Sequence, residues 1–213
     1  ALPDGSRYTY IGFTGEHCIF SEMSMRRSAE SMDSNYIPRI APKISFIDVP
    51  EGDVPNVQVD RYRSASSQGI LIKDGMKMHF HSMSLPTARL VWHCPFCIIY
   101  SSEDGTIGGS NYVEYANVRL DGEIWDDGEN AVNELSVTKE GFEGWNHWKE
   151  MNRTGYDASI SFERNGNIVV TRTDNVGISI ENTTAVRNKS SEIYVALSGD
   201  QVALTNIRIE EQP

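Results

Sequence analysis

The sequence has few cysteines, few basic residues relative to acidic ones, and no long apolar run. Three cysteines in 213 residues are too few for a disulfide framework. The odd count leaves one thiol over, or an intermolecular bond, and does not fix the redox compartment. Stability must therefore come from an apolar core, which a chain of this length can bury. No stretch approaches the roughly 20 apolar residues of a membrane span, which excludes a transmembrane helix. No charged-then-apolar leader stands at Ala1, so a signal peptide is expected to have been removed or never present. Nineteen Lys and Arg face 30 Asp and Glu, a formal net charge of −11. Such a surface repels phosphate backbones and anionic lipid, so neither nucleic acid nor a membrane is expected as a partner. Neutral ligands stay open.

What the chain does have is alternation. From about residue 69 onward it reads as strand after strand. Met76, Met78 and Phe80 alternate with Lys77, His79 and His81. Ala158, Ile160 and Phe162 alternate with Ser159, Ser161 and Glu163, and further runs follow over 168–173, 178–181, 193–197 and 203–209. A period of two marks a half-buried strand. Turn formers separate the runs: Asp74-Gly75, Asp104-Gly105, Asp121-Gly122, Asp127-Gly128, Asn165-Gly166 and Gly199-Asp200. Asn165-Gly166 is a strong hairpin signal, because both residues tolerate positive φ. Trp145 to Asn152 is the one stretch that reads as helix. The predicted fold class is all-β: an antiparallel two-sheet β-sandwich, or jelly roll, with one short helix.

Residues 23–68 differ in kind. They hold four of the eight prolines and lack a period, apart from a candidate strand at 44–49. They read as a long insertion or lid within a single domain spanning 1–213, with a plain surface excursion as the alternative. The last residues, 210–213, read as the start of a linker to a larger multimodular protein.

Aromatic residues crowd the middle of the chain. Trp92, Tyr100, Tyr112, Tyr115, Trp125, Phe142, Trp145 and Trp148 fall within fewer than 60 positions. Flat aromatic rings match the C–H faces of sugar rings, and neighbouring Asn, Asp, Glu and Arg can take the hydroxyls. Trp125 lies among glycines and acids, where core burial is not expected and exposure is. Trp145 and Trp148 share a face of the candidate helix, which suits either packing on the sandwich or a ligand platform. Along 111–121, Tyr112, Glu114, Ala116, Val118 and Leu120 are predicted to point one way. Val113, Tyr115, Asn117, Arg119 and Asp121 are predicted to point the other, as a solvated face or as a polyol site.

The acidic stretch fails as a hydrolase motif. Retaining glycosidases need two carboxylates roughly 5–5.5 Å apart. In Glu123-Ile-Trp-Asp-Asp-Gly-Glu129 the central acid of a one-strand motif is replaced by Trp125, and Gly128 interrupts the strand. Cys94-Pro-Phe-Cys97 has redox or zinc spacing, yet it sits in an apolar run, 90–100, that reads as strand rather than at a helix N-terminus. Buried structural cysteines, a zinc site with the nearby histidines, and a disulfide from Cys18 are the alternatives. Asp104, Asp121, Asp126 and Asp127 could hold a structural calcium, although no EF-hand spacing is present. No other cofactor is required. Three N-glycosylation sequons, at Asn152, Asn182 and Asn188, are no more than about what composition provides.

The run Trp92-His-Cys-Pro-Phe-Cys-Ile-Ile-Tyr-Ser-Ser-Glu-Asp-Gly, then Tyr112-Val-Glu-Tyr-Ala-Asn-Val-Arg-Leu-Asp121 and Trp125, resembles jelly-roll carbohydrate-binding modules of secreted bacterial polysaccharide-degrading proteins. The Trp-containing short helix, the Asn-Gly hairpin and a final strand like Ala203-Leu-Thr-Asn-Ile-Arg-Ile209 belong to the same pattern. The likeness skips 23–68, and His93 and Cys94 depart from the polar pair that precedes the proline in that group. It implies a β-sandwich and carbohydrate binding, and it carries over Tyr112, Glu114, Tyr115, Arg119, Asp121 and Trp125. It does not say which face binds.

The expected function is a non-catalytic module that binds a neutral plant-type polysaccharide or oligosaccharide. It is expected to be secreted or at a cell surface, and monomeric. Its candidate ligand residues are Trp125, Tyr115, Arg119, Asp121, Asn117, Tyr112, Glu114, Trp145 and Trp148, with no catalytic residue. The alternatives are a jelly-roll glycoside hydrolase or lyase, which needs a deep cleft with a carboxylate pair, and a protein-interaction or adhesin domain, which needs a flat apolar patch.

Overall fold

A computed structural model describes residues 51–86, 88, 94–125, 128–188 and 192–211. The chain divides into two compact units, Ala1–Arg39 and Ile40–Pro213, and every described residue belongs to the second. The candidate strand at 44–49, Cys18 and Trp92 lie outside the described residues.

The described unit is a two-sheet antiparallel β-sandwich with one helix. In chain order its elements are β1 (Val57–Val59), β2 (Ile70–Leu71), β3 (Lys77–Ser84), β4 (Phe96–Ser101), β5 (Val113–Arg119), β6 (Ile124–Trp125), β7 (Ala131–Thr138), α1 (Trp145–Thr154), β8 (Tyr156–Asn165), β9 (Ile168–Asn175), β10 (Ile178–Val186), β11 (Tyr194–Ser198) and β12 (Val202–Glu210). Seven strands run in the order β1-β12-β3-β8-β9-β10-β7, and five in the order β2-β11-β4-β5-β6. The alternation read from the sequence is what builds the larger sheet. Met78 and Phe80 of β3, Ala158, Ile160 and Phe162 of β8, and Ile178 and Ile180 of β10 are buried, while their polar alternants face outward. β4 is buried on both faces, which is why it reads as a continuous apolar run.

Residues 51–68, the described part of the expected lid, are stitched into the sandwich. β1 pairs with β12 through Val57↔Leu204 and Val59↔Val202. The amide of Ser67 donates to the Leu197 carbonyl at 2.8 Å, and the Leu197 amide returns a bond to Ser67 Oγ at 2.9 Å. The lack of period there reflects an edge segment three residues long rather than a flap. Helix α1 runs two residues past its predicted end and is bracketed by Gly144 and Gly155, with φ of 98° and 92°. Its Trp148 is fully buried, 6.2 Å from the ring of Tyr156.

The hairpin turns refine the sequence expectations. At β8–β9 the paired ends are Asn165 and Ile168, so the loop is Gly166-Asn167, and only Gly166 takes a positive φ, 58°. That is the pattern of a type II′ turn, shifted by one residue from the Asn-Gly dipeptide. At β9–β10, Asn175 pairs with Ile178, leaving Val176 (φ 51°) and Gly177 (φ 75°) as a loop of two left-handed residues. A Cβ on Gly177 would lie 2.1 Å from the Gly141 carbonyl oxygen, so that position requires glycine. Val176 is β-branched in a conformation that costs an L-residue about 1–2 kcal/mol, offset by its packing against the core.

Asn suits this loop position better than Val. Val176→Asn is expected to raise the melting temperature by about 2–4 °C, as about 1 kcal/mol does in a domain of this size. A calorimetric or circular-dichroism melt checks it, and a lower melting temperature would show that the packing of Val176 outweighs its backbone cost.

Candidate functional site

The candidate ligand residues are placed by β5, and β5 contains a bulge. Phe96 pairs with Arg119, Ile98 with Asn117 and Ile99 with Ala116, but Tyr100 pairs with Glu114. Tyr115 is the extra residue. One inserted residue exchanges the faces beyond it. Glu114 therefore joins Asn117 and Arg119 on one side of the sheet, together with Phe96, Ile98 and Tyr100, instead of opposing them as simple alternation predicts. The guanidinium of Arg119 over the Phe96 ring, at 5.6 Å, and the Tyr100–Tyr112 ring contact, at 5.3 Å, with Tyr112 donating to Glu114, show the shared face.

Most of the predicted ligand residues are committed to the protein itself. Tyr115 is buried; its hydroxyl lies 2.6 Å from Ser101 Oγ and donates to Asn188 Oδ1 at 2.9 Å. Its carbonyl accepts from Asn133 Nδ2 at 2.9 Å. Tyr115 is thus a structural anchor, correcting its place in the polar face. Asp121 is buried, takes Arg119 Nη2 at 2.5 Å and accepts the Glu123 amide at 3.3 Å. Arg119 also reaches Glu123 at 2.7 Å. Glu114 holds Arg63 through both carboxylate oxygens, at 3.0 and 2.5 Å, and accepts the Tyr112 hydroxyl at 2.6 Å. Trp148 is buried, correcting its reading as ligand platform in favour of the packing one. Trp145 is half-buried, edge-on to Phe142 at 4.7 Å, with Lys139 Nζ 4.8 Å from its ring centre.

Two residues stand apart. Trp125 is 53% exposed, in the short edge strand β6, and pairs across strands with Asn117. Asn117 is fully buried, and neither its amide nitrogen nor its amide oxygen has a hydrogen-bond partner. The expectation of an exposed indole at Trp125 therefore holds, and beside it lies an unsatisfied amide of the kind that folded proteins avoid. Outside this cluster, the larger sheet carries a groove on its outer face, lined mainly by serines, threonines and charged side chains, with His79, Ile160 and Ile180 among them. Site reasoning from aromatic density passed over it. Its serines include the outward alternants Ser159 and Ser161, which the sequence shows only as the polar side of a half-buried strand.

The acidic loop after β5 places Glu123 against Arg119, while Asp126 and Asp127 lie outside the described residues. Asp104 sits in the β4–β5 loop, where its carboxylate accepts from the amide and hydroxyl of Thr106. Asp121 lies beyond the other end of β5. Seven strand residues, about 23 Å at 3.3 Å each, separate the two ends, so Asp104 and Asp121 do not share an ion. Among the described residues no group of His, Cys, Asp and Glu is arranged to hold a metal. The sequons at Asn152 and Asn182 are buried, with their amide nitrogens donating to the Trp148 carbonyl and to Asn133 Oδ1. Asn188 is exposed.

Cys94 and Cys97 are both free and fully buried. Burial pushes each thiol up to about 12, with the charge of Asp121 adding to the effect at Cys94. A thiol held protonated in the folded chain but released above about 9 in the unfolded one makes folding proton-retaining. Stability is therefore fully present below about pH 9 and declines between there and about 12, by up to about 1.4 kcal/mol per thiol per pH unit. Denaturant melts at pH 8 and pH 10 should show the loss, and Cys97→Ala should reduce its slope. At pH 8 neither thiol should react with iodoacetamide until the chain is unfolded. Alkylation of Cys94 or Cys97 in the native chain, located by peptide mapping to separate it from Cys18, would overturn this.

No family model matches the chain, and no curated protein matches it. Among solved structures, the exoplasmic/lumenal domain of VIP36, in a form bound to calcium and mannose, is similar at 15% identity over 75% of this chain and 81% of that one, with a TM-score of 0.33. A likeness that faint carries no functional weight, and what this chain does is read from its own side chains.

Proposed function

We propose that the chain is a non-catalytic carbohydrate-binding module that takes a neutral β-glycan at Trp125. The observation that supports this reading is the pairing of an exposed indole with an unsatisfied amide, Trp125 beside Asn117. An indole offers a stacking face for a sugar ring. An amide with both a free donor and a free acceptor suits a hydroxyl, which is itself both. Asn117 lies beneath the surface, so the ligand must displace what covers it; a two-residue edge strand is a low-stability place for such an opening. Arg119, already oriented by Asp121 and Glu123, borders the same face. Its charge is balanced by two carboxylates, and the chain as a whole carries −11, so an uncharged ligand fits better than a polyanion such as pectin.

Hydrolysis is the less favoured reading. Glu123, the acid best placed to act beside Trp125, is tied to Arg119 at 2.7 Å. A plant-type polysaccharide, a secreted or cell-surface setting, a monomeric state and a place in a larger multimodular protein complete the proposal. Among the described residues no helix is long and apolar enough to cross a membrane. A calcium ion enters only as a condition to be varied.

Calorimetric titration with cello- and xylo-oligosaccharides, with and without calcium, tests this. Stacking is worth on the order of 1 kcal/mol beyond area burial, so Trp125→Ala should weaken binding about tenfold, as about 1.4 kcal/mol does. Affinity should change little with salt, because no charge pairing forms. Unchanged affinity in a folded Trp125→Ala variant would remove the site from Trp125. Reducing sugar released from the same glycans, and lost in Glu123→Gln, would replace binding with hydrolysis.

A further inference from the structure

We propose that the outer face of the seven-stranded sheet carries a second ligand site, separate from Trp125: a hydroxyl-floored groove that holds an extended neutral oligosaccharide by hydrogen bonds, without aromatic stacking. It extends the glycan reading above to a different sheet and depends on none of the residues used there.

The groove encloses about 580 Å³. Strand register builds it from two parallel rows. The first runs Lys77↔Ser161↔Arg172↔Glu181↔Ser136 across β3, β8, β9, β10 and β7. The second places His79 opposite Ser159, and Asp174 opposite Ser179, which in turn faces Thr138. Five adjacent strands at about 4.8 Å spacing give a trough about 19 Å long, and rows two residues apart lie about 7 Å from each other. Those dimensions suit a chain of several sugar units lying across the strands.

The floor is low because its side chains are short. Ser136, Ser159, Ser161 and Ser179 occupy outward positions where a strand's own preference is for Thr, Val or an aromatic residue. A purely solvated face would satisfy that preference at no cost. Serine instead leaves a depression, each hydroxyl presenting one donor and two acceptor sites. Arg172 is fixed within this floor by carboxylates on both sides, Glu163 and Glu181, each at 2.6 Å. Its fork is therefore oriented before any ligand arrives.

Charge selects the class of ligand. Lys77 and Arg172 line the groove with Asp174 and Glu181, two of each sign, and Glu163 stands beside them. That excess of one acid disfavours a polyanion, and the two basic groups held in the same floor by those acids disfavour a polycation. No Trp, Tyr or Phe is among the lining residues, and His79 is the one ring there, so the broad stacking face that an indole or phenol would give a ligand is missing. A neutral polyhydroxylated chain can meet hydroxyls, carboxylates, the Lys77 ammonium and the Arg172 guanidinium along this floor.

Amide-resolved NMR titration with cellohexaose, xylohexaose and mannohexaose, one at a time, tests the groove and the Trp125 site together. The expected result is saturable shifts at the amides of Ser159, Ser161 and Ser179 with at least one of the three. The indole N–H of Trp125 reports the other site. Ser179→Tyr fills the trough from an outward position and should weaken binding at the groove roughly tenfold or more, while leaving any indole shift intact. Ser159→Tyr does the same from β8, should the first variant fail to fold. Trp125→Ala should leave the groove shifts unchanged. Groove amides that stay unmoved by all three sugars at millimolar concentration overturn the proposal, as do groove shifts that survive both tyrosine variants. Groove shifts with an unmoved indole support the groove and count against Trp125; the converse result does the opposite.

Discussion

The bulge at Tyr115 is the constraint on which the face of the smaller sheet depends. A strand allocates side chains to two faces by strict alternation, and one extra residue reverses the allocation beyond it. Tyr115 absorbs that residue and is locked at both ends. Its carbonyl accepts from Asn133 on the edge strand of the other sheet, and its hydroxyl joins Ser101 and Asn188. Because Tyr115 is fixed, Glu114 turns to the side of Tyr100 and is available to Arg63 and Tyr112. Beyond the bulge, toward Arg119, the original alternation continues and delivers Asn117 next to Trp125.

Asn133 shows how the same tie reaches the larger sheet. Its Oδ1 accepts from Asn182 Nδ2 at 3.0 Å and from Thr184 Oγ1 at 2.7 Å, while its Nδ2 holds the Tyr115 carbonyl. A polar cluster inside a sandwich is costly unless its groups are paired. Here the pairing crosses between sheets, so the bonds fix how the β7 edge of one sheet meets β5 of the other. Apolar packing alone tolerates sliding; a directed amide network does not. The register that aligns the serines of the outer groove is thereby coupled to the bulge that orients the smaller sheet.

The strands were legible wherever one face is solvated. Met78, Phe80, Ala158, Ile160 and Phe162 announce β3 and β8 by period alone, and α1 was visible from Trp145 onward. The bulge was not legible, because Tyr112-Val-Glu-Tyr-Ala-Asn alternates as well with an extra residue as without one; only the pairing with β4 reveals it. The Val176-Gly177 turn was hidden for a related reason. Valine is a strand former, and its left-handed conformation is imposed by the register of β9 against β10 rather than by its own preference. Tyr115, Asp121 and Trp148 were read as candidate ligand residues, whereas in the fold Tyr115 and Asp121 bind other groups of the chain and Trp148 is buried.

That difference explains why the density of aromatic residues was a poor guide to which of them are exposed. An aromatic side chain removes so much surface from water that a fold with room for it will bury it, and Tyr100, Tyr115, Tyr156 and Trp148 have all gone that way. Trp125 escaped because the polar, glycine-flanked segment around it offers no apolar pocket. A serine gains little from burial and little from a strand, so four of them at outward positions on β7, β8 and β10 are not accounted for by folding. Where stability does not choose a residue, the surface it creates is the place to look for what does, and here that surface is a trough of about 580 Å³ with hydroxyls along its floor.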